Sequence, residues 1–348
     1  GEDSNGEFED GVAQTNLESL KLKSTKDEIE DSVDKDHCDI SSTGEHSNAS
    51  TIDEKTPFTI LDNVPIGLST VYPITVAENG KVALLGVSQS SEKLLSCFDN
   101  SKKKCPLWSH DIESLDKADG MCSITVDGQL YFVVSDCTNG TLCQYGEDGV
   151  NYFEAYISEL EDWHPTRLIG KNDDTILVVD ARPKEGENVR KQCIQTFSIS
   201  QTPYENLEKD IWIEAEGNIN DLCYLDTLGV ILCTTTAPSW LICADEATGD
   251  VLWMYDRLDG KKLNPWGLVS KPNSPNVYIA DMRLKGLYEI KVTRSEATFV
   301  RKIIATSSCN FGTPRWIRMD KYLNCFVVLS SISKKQQLFW LNVVGYMC

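Results

Sequence analysis

Residues Pro265–Val292 read PWGLVSKPNSPNVYIADMRLKGLYEIKV. The spacing predicts an apolar strand at Trp266–Val269, a Pro/Asn/Ser turn and a mostly apolar run at Val277–Ala280. A charged turn and an alternating strand at Leu287–Val292 follow, as expected for short strands bounded by turn residues. ATFVRKII at Ala297–Ile304 supplies a fourth. Four tightly connected strands make one small antiparallel sheet, which cannot bury both faces by itself.

The unit recurs. Turns between first and second strands fall near Asn79, Asp127, Asp173, Thr227, Ser274 and Tyr322. The steps are 48, 46, 54, 47 and 48 residues, a period that signals an array or propeller. Second strands read VALLGV, LYFVVS, TILVVD, GVILCT, NVYIAD and CFVVLS, and third strands KLLSCF, TLCQYG, QCIQTF, WLICAD, LYEIKV and QLFWLN. Five units carry a fourth strand, and the sixth does not. PFTILDN at Pro57–Asn63 is the spare strand that would close the ring on the last unit, leaving no open edge. The fold class is therefore all-β: a six-bladed β-propeller over residues 57–348, closed by an N-terminal strand. Asn79-Gly80 and Asp127-Gly128 are expected as primed hairpin turns.

Of the formal net charge of −20, residues 1–56 carry −11, from 16 acidic and 5 basic side chains. That segment is poor in apolar residues and is expected to be a disordered acidic linker. The 13 cysteines fall mostly inside apolar strands (Cys97, Cys122, Cys143, Cys193, Cys223, Cys233, Cys243, Cys325). They read as buried free thiols in a reducing, cytoplasmic setting rather than as a disulfide framework. No apolar run is long enough to span a bilayer, so no membrane partner is expected.

In the fifth unit, Pro265-Trp266-Gly267-Leu268, then Val277-Tyr278-Ile279-Ala280-Asp281, then Gly286-Leu287-Tyr288, is similar to the NHL repeat. Asp136 and Asp180 occupy the place of Asp281 in two other units, and Ser88 or Gly86, Thr234 and Ser330 take it in the rest. NHL propellers end tripartite-motif-type ubiquitin ligases. The resemblance implies a substrate- or RNA-recognition module of such a ligase, without a ligase active site in this chain, since no Cys-x-x-Cys pair is present.

Some six-bladed propellers are lactonases or related hydrolases with a channel metal. Here the inner strands VYPITV, MCSITV, TRLIG, DLCYL, WGLVS and RWIRM offer Asp221 and little else as a hard oxygen ligand, whereas a Ca²⁺ site wants six or more. His110 and His164 lie in different units, and there is no Gly-x-Ser-x-Gly, so neither an acid–base pair nor a nucleophile is marked. The reading is non-catalytic, with no cofactor and no metal.

Connections between second and third strands leave a propeller on the same side as those between blades. Units three to six place there Arg182, Lys184, Arg190, Lys191, Arg257, Lys261, Lys262, Arg283, Lys285, Lys334 and Lys335. The acids in those loops are Asp180, Glu185, Glu187, Asp256, Asp259 and Asp281. With Trp240 and Trp266 flanking, this rim is the expected binding surface. The expected partner is a protein or acidic peptide, with single-stranded RNA as the alternative.

Overall fold

A computed structural model describes residues 55–343 apart from the segments 100–105, 113–117, 157–162, 182–191, 201–203, 214–216, 259, 306–310, 322–324 and 333–334. The chain is a six-bladed β-propeller. Blade 1 is β2 (Leu68–Val76), β3 (Val82–Ser88), β4 (Lys93–Phe98) and β5 (Trp108–Asp111). Blade 2 is β6 (Ala118–Val126), β7 (Gln129–Asp136), β8 (Thr141–Gly146) and β9 (Asn151–Tyr156). Blade 3 is β10 (Pro165–Asn172), β11 (Thr175–Asp180), β12 (Gln192–Ser198) and β13 (Glu205–Ile213). Blade 4 is β14 (Asn218–Leu225), β15 (Val230–Thr236), β16 (Leu241–Asp245) and β17 (Val251–Tyr255). A small hairpin, β18 (Arg257–Leu258) and β19 (Lys261–Lys262), precedes blade 5. Blade 5 is β20 (Pro265–Ser270), β21 (Asn276–Asp281), β22 (Gly286–Val292) and β23 (Ala297–Ala305).

Blade 6 is β24 (Thr313–Asp320), β25 (Cys325–Ile332) and β26 (Lys335–Val343), with β1 (Lys55–Ile66) as its outermost strand. The antiparallel register runs from Phe58 opposite Val343 to Ile66 opposite Gln336. The closing strand thus begins at Lys55 and extends past Asn63, longer at both ends than Pro57–Asn63. Its first residues also pair in parallel with β23, Lys55 opposite Lys302 to Phe58 opposite Ala305. That second pairing fuses blades 5 and 6 into one eight-stranded sheet.

The all-apolar second strands follow from this geometry. Each lies between two neighbouring blades, so successive side chains point into different interfaces. Ala83 and Leu85 pack toward blade 2, and Val82 and Leu84 toward blade 6. Val277 and Ile279 face blade 4, and Tyr278 and Ala280 face blade 6. Among the described residues the core is six apolar clusters, one at each blade–blade interface. The cluster holding Val71 and Ile74 with Trp316, Val327 and Trp340 closes the ring from blade 6 to blade 1. Each buried Val, Leu or Ile contributes roughly 1.5–3 kcal/mol.

Outer-strand tryptophans bolt blades together. Trp108 Nε1 donates to the Glu147 carbonyl at 2.8 Å, and Trp253 Nε1 to that of Thr293 at 3.1 Å. All eight strand cysteines are buried free thiols, Cys137 is a half-buried one, and the other four lie outside the described residues. Asp127 and Gly128 both have positive φ, giving the primed turn. The Asn79-Gly80 turn differs from the expectation. Only Gly80 has positive φ, and its N–H donates to the Ala77 carbonyl at 2.9 Å, the three-residue pattern of an ordinary turn followed by a glycine bulge. Among the described residues no helix is long and apolar enough to cross a membrane.

Candidate functional site

The inner strands β2, β6, β10, β14, β20 and β24 surround the channel. We call the side on which they begin the upper face; the connections between second and third strands and between blades emerge there. At the start of all six, the register with the second strand slips. The slips lie between Leu68 and Thr70, Ala118 and Gly120, Pro165 and Leu168, Ile219 and Asp221, Pro265 and Gly267, and Pro314 and Trp316. A bulge leaves a residue out of the ladder and re-aims its side chain. The residues left over are Ser69, Asp119, Thr166 with Arg167, Asn220, Trp266 and Arg315.

Glycines let the bulges of adjacent blades meet. A Cβ on Gly120 would lie 2.1 Å from the Thr166 carbonyl oxygen, and one on Gly267 would lie 2.8 Å from that of Arg315. Hydroxyls of the preceding blade hold the bulge carbonyls: Ser135 Oγ donates to Thr166 O at 2.9 Å, and Thr234 Oγ1 to Trp266 O at 2.6 Å.

Arg167 joins four blades. Its Nε donates to the Asn220 carbonyl at 2.7 Å, its Nη1 donates to the Asp119 carbonyl, and Asp119 Oδ1 is 3.7 Å from Nη1. Its guanidinium lies 5.6 Å from the Trp316 ring, and that of Arg318 lies 5.7 Å from the same ring. Arg318 is itself forked onto Asp221, at 2.7 and 2.9 Å. The one hard oxygen ligand read from the inner strands is thus consumed by an arginine. Arg315 stacks 4.3 Å over the Trp266 ring, and Trp266 meets Trp316 edge-on at 6.3 Å. Burial lowers the pKa of Arg167, opposed by Asp119 and Asp221; burial, then Arg167, lowers that of Arg315. Both remain cations, as guanidinium always does in proteins.

Toward the lower face the channel opens into a cavity of about 340 Å³ lined from all six inner strands, including Thr75, Ser123, Lys171, Tyr224, Ser270 and Arg318. Lys171 is ion-paired with Glu246, which also accepts from Tyr224 Oη at 2.9 Å. Cys122 and Cys223 line it, and burial pushes both thiols up. They stay protonated, hence poor nucleophiles. His110 Nε2 lies 3.0 Å from the Asp148 carbonyl and His164 Nδ1 3.0 Å from that of Cys137, the two histidines standing in different blades. Among the described residues no group of three or more His, Cys, Asp or Glu side chains could hold a metal ion.

The expected rim is partly assembled. Arg257, Lys261 and Lys262 are exposed together on the β18–β19 hairpin, and Arg283 and Lys285 are exposed on the β21–β22 turn. The two are linked where the Met282 N–H donates to the Asn264 carbonyl at 3.0 Å. None of the five is ion-paired among the described residues. Arg182, Lys184, Arg190 and Lys191 lie outside the described residues, as do Glu185, Glu187, Asp259 and Lys334.

Two of the acids counted against the rim are not on its surface. Asp180 and Asp281 are fully buried. Asp281 accepts from the N–H of Asn264 at 2.8 Å and of Leu284 at 2.7 Å, stapling the blade connection to the turn. The NHL-like aspartate is thus a loop staple. Trp240 is half-buried against the interface of blades 3 and 4. Trp266 belongs to the channel mouth rather than the outer rim.

Arg167, Arg315 and Arg318 were not singled out from the sequence. The available signal was three arginines within two mostly apolar inner strands, TRLIG and RWIRM, since arginine is seldom buried without a partner or a task.

No protein-family model matches the chain, and no curated protein matches it in sequence. Solved structures do match in shape. Hydrazine synthase of Kuenenia stuttgartiensis superposes with a TM-score of 0.53 at 13% identity, over 79% of this chain and 96% of that one. The PQQ-bound aldose sugar dehydrogenase of Streptomyces coelicolor superposes with a TM-score of 0.51 at 11% identity, over 83% and 98%. At such identities the likeness is one of fold alone.

Proposed function

We propose that this propeller is a non-catalytic recognition module that binds an acidic protein partner through its upper face. The observation that carries the reading is the β18–β19 hairpin with its neighbouring turn. Five exposed cations stand there without ion pairs among the described residues, on a chain whose net charge is −20. A local positive patch on an acidic body favours an acidic surface held at short range, because the overall field repels a long polyanion. The NHL-like fifth blade supports a finer assignment, the substrate-recognition part of a tripartite-motif-type ubiquitin ligase. The free thiols support a cytoplasmic setting, since reduced cysteines persist there. Single-stranded RNA is the second reading, favoured by the same unpaired cations.

The test is charge reversal of Arg257, Lys261, Lys262 and Arg283 to Glu, followed by pull-down and by titration with single-stranded RNA. All four side chains are exposed, so folding should be unaffected. Loss of partner capture supports the reading. Wild-type RNA binding that falls steeply with salt and is competed by polyanions in general would favour the second reading. Unchanged capture by the reversed surface would remove the rim from consideration.

A further inference from the structure

Among the described residues, the bulges at the upper mouth of the channel and the ion pair beside them carry an unbalanced charge. Arg318 is neutralised by Asp221, and Arg167 has Asp119 at 3.7 Å. Arg315 has no such counterpart. Among the described residues it donates no hydrogen bond and pairs with no carboxylate; its one close partner is the face of Trp266, 4.3 Å away. Its Nε is buried and unpartnered, as are Trp266 Nε1 and Trp316 Nε1. A guanidinium offers five N–H donors, and leaving buried donors unsatisfied is costly. Three orphan donors, on Trp266 and on the Arg315 and Trp316 side chains that each meet its ring, beside the second buried guanidinium of Arg167, describe a site built for an acceptor.

We infer that the channel mouth at Arg315, Arg167 and Trp266 binds the carboxylate of a ligand. Among the described residues the excess is one positive charge, from Arg167, Arg315 and Arg318 against Asp119 and Asp221, which a monoanion balances and a phosphate dianion overshoots. A carboxylate also matches the planar fork of Arg315, which two parallel N–H···O bonds can satisfy. The flat Trp266 ring holds that fork in place by cation–π contact. The carboxylate is supplied either by a small organic acid or by an acidic side chain of a bound peptide. The site stands on different residues from the rim and holds whether or not the rim recruits a partner.

The experiment follows the arginine Nε–Hε resonances of the full ¹⁵N-labelled chain by NMR. Probes are sodium acetate, inorganic phosphate, and a capped glutamate-containing peptide with its alanine counterpart, each against sodium chloride at equal ionic strength. The Arg315 resonance, assigned by its loss in Arg315→Gln, should shift saturably with acetate. Arg315→Gln should weaken acetate binding by about tenfold or more, read from the Arg167 resonance. A shift with the glutamate peptide stronger than with acetate assigns the carboxylate to a peptide, and the reverse order assigns it to a small acid. Arg315 shifts no larger with acetate than with chloride would overturn the proposal, as would phosphate binding more tightly than acetate. Both of these overturning readouts come from the wild-type chain, so they hold even if the variant folds poorly.

Discussion

Arg318 grips the carboxylate of Asp221 with two nearly equal bonds, Nη1 to Oδ2 at 2.7 Å and Nη2 to Oδ1 at 2.9 Å, and so ties blade 6 to blade 4 past the blade between them. That intervening blade is pinned as well. The Leu268 N–H donates to Asp221 Oδ2 at 2.8 Å, and Arg318 Nη1 donates to the Leu268 carbonyl at 3.2 Å. Half of the channel wall is therefore held by one ion pair. Removing one partner of a buried pair leaves the other charge uncompensated, at a cost of about 3–5 kcal/mol. Asp221→Ala should show that loss in urea denaturation, and Asp221→Ala with Arg318→Met should recover a good part of it. A double variant at least as unstable as the single one would show that the charge is not what matters.

The closing strand gives a second test. Removing residues 1–54 leaves β1 intact and should leave thermal melting nearly unchanged. Removing residues 1–66 strips the outer strand from blade 6 and exposes the edge of β26, along with the loss of buried Val64 and Ile66. An unpaired edge of this kind is prone to aggregate, so the shorter chain should melt far lower or be recovered as aggregate. Equal melting of the two truncations would show that β1 is dispensable to the ring.

Thiol chemistry provides a third. Burial pushes Cys97, Cys233 and Cys243 up to about 12, so almost no thiolate is present at neutral pH. Alkylation of the native chain followed by peptide mass spectrometry should modify half-buried Cys137 ahead of the eight buried cysteines. In denaturant without reductant, all of these should react. Rapid native labelling of Cys233 or Cys243 would contradict the packing of blade 4.

Asp281 makes a pH-dependent contribution with a definite sign. Burial is the largest influence and raises its pKa, against the backbone N–H groups of Leu284, Asn264 and Arg283, which lower it. A carboxyl raised in the folded state contributes stability that is complete below its unfolded pKa, about 4, and lost as pH rises through the folded value. Asp281→Asn cannot titrate. The stability of the wild type relative to Asp281→Asn should therefore increase on acidification from neutral pH toward about pH 4. A gap that narrows over that range would mean that the N–H donors outweigh burial.

How much of this was legible without coordinates differs sharply between ring and mouth. By itself the sequence determined the six-fold period, the apolar second strands, the closing strand at Pro57–Asn63, the buried cysteines and the exposed cations of the Arg257–Lys262 segment. Each is a local pattern or a repeat of one, because a strand between two blades must be apolar on both faces and a loop cation need only reach water. Only the tertiary structure decided the rest. The bulges depend on register with a partner strand, which no single strand encodes. The buried aspartates looked like rim charges until their N–H partners, across the blade connection, were in place. Arg167, Arg315 and Arg318 sit in two short inner strands and acquire meaning only when the closed ring brings blades 2 to 6 together around one axis. Arg318 meets Asp221 across 97 residues of chain. A contact of that range leaves no local periodicity to read, since only closure of the ring offsets the entropy of bringing its ends together.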